Sequence, residues 1–70
     1  MKYLLIEIQT GNDGKISNIV TSHDTKPEAE TKYHQVLAAA ATSNTKYHSA
    51  VMLNEKGEWE KGETYDHSEE

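Results

Sequence analysis

The stretch that decides the fold is Thr25-Lys26-Pro27-Glu28-Ala29-Glu30-Thr31-Lys32-Tyr33-His34-Gln35-Val36-Leu37-Ala38-Ala39-Ala40-Ala41. It predicts the chain's one helix. Thr25 and Glu28 fit a capping box, in which the Thr25 hydroxyl accepts from the Glu28 amide and the Glu28 side chain reaches back. Pro27 is tolerated in the first turn, where its missing N–H would have had no partner. Glu28 and Glu30 sit near the positive end of the helix dipole. Ala29, Tyr33, Val36, Leu37 and Ala40 recur at the spacing of one helical face and should be its buried side. Thr42-Ser43-Asn44-Thr45 should end the helix, with Asn44 suited to a left-handed cap.

Everything on either side of the helix reads as paired strands. Upstream, Lys2 to Thr10 alternates, with Leu4, Ile6 and Ile8 on one face and Tyr3, Leu5, Glu7 and Gln9 on the other. Gly11-Asn12-Asp13-Gly14 is a hairpin turn. Lys15 to His23 returns, and Ile16, Ile19 and Val20 break its alternation, which points to a bulge. Downstream, Lys46 to Asn54 is apolar on both faces, as a central strand should be. Asn54-Glu55-Lys56-Gly57 is a second hairpin turn. Glu58 to Tyr65 forms a last strand, with Trp59, Lys61, Glu63 and Tyr65 on one face and Gly62 as a weak point.

The expected fold is therefore α+β: a single ββαββ domain over residues 1–66, with 67–70 a frayed acidic tail. The helix reverses direction between the second and third strands, so the sheet should be antiparallel in the order 2-1-3-4. One helix covers one face. The other face exposes either Tyr3, Leu5, Ala50 and Met52 or their opposite-parity partners. Tyr33 and Trp59 are read as core; Tyr3, Tyr47 and Tyr65 suit core or surface equally.

Composition limits the function. A domain of 70 residues buries only about 60% of the surface its unfolded chain exposes, and such domains often need disulfides, a metal or oligomerisation. The chain has no cysteine, so disulfides and thiolate metal sites are excluded and a homo-oligomer is expected. An apolar second sheet face argues the same way. The alanine run raises a second candidate interface on the outer side of the helix, around Ala38 and Ala41. The first residues lack the uninterrupted apolar run of a signal peptide, since Glu7 breaks it, and no stretch approaches membrane-spanning length. A cytoplasmic protein without membrane partners is the expectation.

The net charge is -5 and is unevenly placed. Residues 55–70 hold seven acids and two lysines, whereas residues 1–54 hold five of each. All the basic residues are lysine. Arginine's bidentate fork, which grips phosphate and reads guanine, is missing, so duplex nucleic acid is excluded as a partner.

No catalytic residues are assigned. There is no cysteine and no glycine-x-serine elbow, and Ser49 points away from its neighbour His48 on a strand. Glu30 and His34, one turn apart, would make an acid–base site only if a strand residue such as His48 closed it; an ordinary exposed pair is the simpler account. His23, His34, His48 and His67 lie on different elements without zinc-ligand spacing, so no metal and no cofactor are expected. Tyr3, Lys32, His34, Lys46, Tyr47 and His48 are the candidate residues for a small anionic or aromatic ligand at a subunit boundary. Glu58, Glu60 and Glu63 are the alternative, an acidic hairpin that docks a basic protein partner.

Three stretches, Tyr3 to Thr10, Ala29 to Ala41 (A-E-x-K-Y-H-x-x-L-x-x-A-A) and His48 to Leu53 (H-S-A-V-M-L), together resemble a family of small uncharacterised proteins of Firmicutes phages and prophages. The resemblance covers most of the chain. It implies a phage setting, in the host cytoplasm. By analogy of setting it also implies a small oligomeric anti-defence protein that sequesters a host nucleotide immune signal or inhibits a host defence enzyme.

Overall fold

A computed structural model describes residues 1–67. The elements run β1 (Tyr3–Thr10), β2 (Ile16–His23), α1 (Lys26–Ala41), β3 (Tyr47–Asn54) and β4 (Trp59–Asp66). The four strands form one antiparallel sheet in the order β2-β1-β3-β4, so the ββαββ α+β architecture stands as read from the sequence.

Local chemistry places each junction. In the first turn Gly14 takes the left-handed conformation (φ 86°), its N–H donates to Gly11 O, and Asp13 Oδ1 accepts from the Lys15 amide. In the second, Gly57 does the same (φ 82°), and the buried Asn54 accepts on Oδ1 from the amides of Lys56 and Glu58. The Thr25 hydroxyl accepts from the Glu28 amide at the helix start. The helix end differs from expectation: no residue other than glycine has a positive φ among the described residues, so Asn44 is not a left-handed cap. Instead the amides of Thr42 and Ser43 donate to Ala39 O and Ala40 O, tightening the last turn. His67, the first residue of the expected tail, donates its amide to Lys46 O, and its imidazole bonds Ala40 O. The rest of that tail, 68–70, lies outside the described residues.

The helix packs Ala29, Tyr33, Val36 and Leu37 on Leu5, Ala50 and Met52, with Tyr3 at the margin. Among the described residues only Leu5 and Met52 of the large side chains are fully buried. That is a small core. The helix-covered face of the sheet is the mixed one: Tyr3, Leu5, Glu7 and Gln9 of β1 lie beside Asn54, Met52, Ala50 and His48 of β3.

Two features depart from the alternation of the sequence. The β1–β2 ladder is unbroken over eight pairs, so the bulge expected in β2 is absent. Ile16, Ile19 and Val20 break the pattern for another reason: Ile16 and Val20 lie on the open face, α1 packs mainly on β3 and β1 and leaves Ile19 on the helix side uncovered, and all three stay exposed. The bulge lies in β4 instead, where the register shifts opposite Met52 and Leu53 and Glu60 is the extra residue. One inserted residue reverses the facing of what precedes it. Trp59 therefore leaves the face of Lys61, Glu63 and Tyr65, pairs with Leu53, and is 65% exposed rather than core.

Candidate functional site

The open face of the sheet carries Leu4, Ile6 and Ile8 from β1, Ile16 and Val20 from β2, Tyr47, Val51 and Leu53 from β3, and Trp59 from β4. Thr10, Asn18, Ser22, Ser49 and Thr64 fill the positions between them. Among its strand positions the single charge is Asp66, at the corner beside Tyr47. The central side chains are half-buried by their neighbours, while Ile16, Val20 and Trp59 stand clear. The Trp59 indole lies over Gly62, where a Cβ would come 3.2 Å from Nε1. The ring shields the bare backbone there and widens the apolar surface.

The other side holds the polar groups. His48 Nε2 meets Glu7 Oε2 at 2.6 Å beneath the helix, and Gln9 Nε2 donates to the same oxygen. His48 Nδ1 is buried with no partner among the described residues. The pair joins neighbouring central strands diagonally, since Glu7 is opposite Ala50. It reads as a buried polar pin: no cavity adjoins it in the described residues, and removing one partner would leave the other's buried polar group without a hydrogen bond.

Around the helix, Lys61 Nζ donates to Glu30 Oε2 at 3.1 Å and lies 5.4 Å from the centre of the Tyr33 ring. Lys61 holds the Glu30 carboxyl below its ordinary value, by hydrogen bond first and charge second. Burial pushes the Tyr33 phenol up, with Glu63 adding to it. A depressed carboxyl stabilises the fold above its unfolded-state pKa, and that contribution is lost as pH falls through the folded value. Both partners are partly exposed, so the effect is small. Denaturant midpoints followed from about pH 6 down to about pH 3 should fall less steeply in Lys61→Met than in the wild type. Identical acid limbs would remove the pair from the stability account.

The six ligand candidates fall on different sides of the molecule. Tyr47 is on the open face, with Lys46 Nζ 5.4 Å over its ring. Tyr3 and His48 are on the helix-covered face. Lys32 and His34 lie on α1, the His34 ring edge-on to Tyr33. Only Lys46 and Tyr47 are drawn together. Glu30 is taken up by Lys61 and His48 by Glu7, so Glu30, His34 and His48 do not assemble as an acid–base site. Among the described residues no three His, Asp or Glu side chains are placed to share a metal ion. In the acidic hairpin, Glu58 and Glu60 both accept from Asn54 Nδ2, and Glu60 also faces Lys26. Two of the three carboxylates thus serve the fold.

Sequence reading misses the role of Glu7, because the pair it forms with His48 spans 41 positions and depends on the β1–β3 register. Among the described residues no helix is long and apolar enough to cross a membrane. Comparison with protein-family models, with curated proteins and with solved structures finds no match.

Proposed function

We propose that the protein is a non-catalytic binding module that works as a homo-oligomer, assembled through the open face of its sheet and holding a small anionic ligand at the subunit boundary. One observation carries this reading: a four-stranded sheet leaves its more apolar face open, with no charge on it except at one corner. Apolar patches of this kind mark interaction surfaces. The chain as a whole is acidic, yet this face would meet a second copy without like-charge repulsion. Strands of eight residues in a four-stranded sheet offer about 500 Å² per copy, so face-to-face stacking buries about 1,000 Å² in all, the lower bound for a specific interface.

The ligand's place would be the margin of that interface, where the Lys46 ammonium overlies the Tyr47 ring. A cation beside an aromatic plane suits a nucleotide, which offers both phosphate and base. The phage resemblance supports a host nucleotide signal as cargo, met in the host cytoplasm. Melting the purified protein with a panel of cyclic dinucleotides and cyclic ADP-ribose isomers tests this. At least one should raise the melting temperature of the wild type and not of Lys46→Ala; a panel with no effect removes the ligand from the proposal.

A further inference from the structure

We propose that β2 is a self-pairing edge: it joins β2 of a second copy, antiparallel about a two-fold axis normal to the sheet, to make one continuous eight-stranded sheet. This interface is separate from the open face and rests on different observations.

The sheet has two edges, and they are built differently. β4 has the marks of a protected edge: Glu60, Lys61, Glu63 and Asp66 along it, a glycine at Gly62, and a register shift. Charges and bulges of this kind deter strand addition. β2 has none of them. From Ile16 to Ser22 it carries no charge, no proline and no glycine, and it pairs with β1 over eight regular positions. A long, uncharged edge presents a row of N–H and C=O groups ready to bond another strand. Its side chains are unsatisfied as well. Ile16 and Val20 on the open side and Ile19 on the helix side are each more than half exposed; α1 packs mainly on β3 and β1, so even the helix-side Ile19 is left uncovered.

Charge selects the occupant and its direction. The chain's excess acid is carried by residues 55–70, and β4 is the strand farthest from β2, about 14 Å away at three strand spacings. Joining two copies at β2 keeps their acidic edges at opposite ends of the combined sheet. Joining them at β4 would bring those edges together. The strand is flanked by Lys15 and Asp24, so an antiparallel pair sets the lysine end of one copy beside the aspartate end of the other, while a parallel pair would set like against like. A two-fold axis normal to the sheet also keeps the helices on one side and runs the open apolar faces together without a break. With open-face stacking, the perpendicular axes close on four copies.

Two measurements on the full chain test this. In a free edge strand only alternate amides are bonded, so half of the β2 amides should exchange freely in the monomer. Hydrogen exchange at concentrations where the protein is oligomeric should protect all of them, and dilution to monomer should restore the alternation. Ile19→Lys places two lysines within about 5–8 Å across the two-fold axis, touches nothing on the open face, and should halve the mass in solution. Alternation persisting in the oligomer, or an Ile19→Lys variant of unchanged mass, overturns β2 pairing and leaves the open-face proposal standing. If an open-face lysine leaves the mass unchanged while Ile19→Lys halves it, the edge stands and the open face falls.

Discussion

Met52→Ala should leave a large fraction of the chain unfolded at physiological temperature. Met52 is completely buried, and among the described residues it and Leu5 are the only large side chains that are fully buried. It sits at the centre of the cluster that joins α1 to the sheet. Truncating a buried methionine to alanine costs about 2–5 kcal/mol, from lost transfer energy and the cavity left behind. A core of this size rarely supplies more than about 3–5 kcal/mol, so one substitution removes most of the margin. Denaturant titration should show the midpoint collapsing. Met52→Leu, which roughly conserves volume, should cost less than about 1.5 kcal/mol. Equal losses for the two variants would mean that the cluster does not carry the fold.

Ile6→Lys should at least halve the mass in solution without melting the domain. Ile6 stands at the middle of the open face, between Val20 and Val51 on its neighbours. A single chain leaves it half-buried, so lysine there can extend its ammonium into water. In a stacked pair of sheets the same ammonium would be sealed about 10 Å or less from the opposing face, at a cost of several kcal/mol. The folded monomer should therefore be favoured. Circular dichroism should remain that of an α+β domain while sedimentation reports the smaller species. A variant that keeps the wild-type mass would place the interface elsewhere, with the exposed Ala38 and Ala41 side of the helix next to be examined.

The element order, the strand order and the buried helix face were all legible in the sequence. Each rests on a strong local signal: two left-handed glycine turns, a capped helix with five apolar positions in register, and two strands apolar enough to be central. Which side of the sheet the helix takes was not legible, because β1 and β3 are apolar at both parities. The outcome runs against simple hydrophobicity. The helix covers the side with Glu7, Gln9 and His48 and leaves open the side with Leu4, Ile6 and Ile8. On the covered face Ala50 is completely buried, and its small side chain leaves room for the helix between Leu5 and Met52. Trp59 was misplaced by a one-residue bulge that alternation cannot anticipate. The pairing of His48 with Glu7 was not legible, because the two are 41 positions apart in the chain. Lys46 and Tyr47, adjacent in sequence, are the part of the candidate site that needed no tertiary knowledge.

The pattern of the two sheet faces makes sense if the domain is half of a larger packed unit. Its polar side is largely paired internally, by His48 Nε2 on Glu7, Lys61 on Glu30 and Asn54 on its own hairpin. Among the described residues nothing covers its apolar side. The most direct test is the mass of the full chain by sedimentation equilibrium over a wide concentration range. A whole multiple of the single-chain mass, reduced by Ile6→Lys, is the predicted result. A wild-type chain that remains a monomer at every concentration would contradict the account.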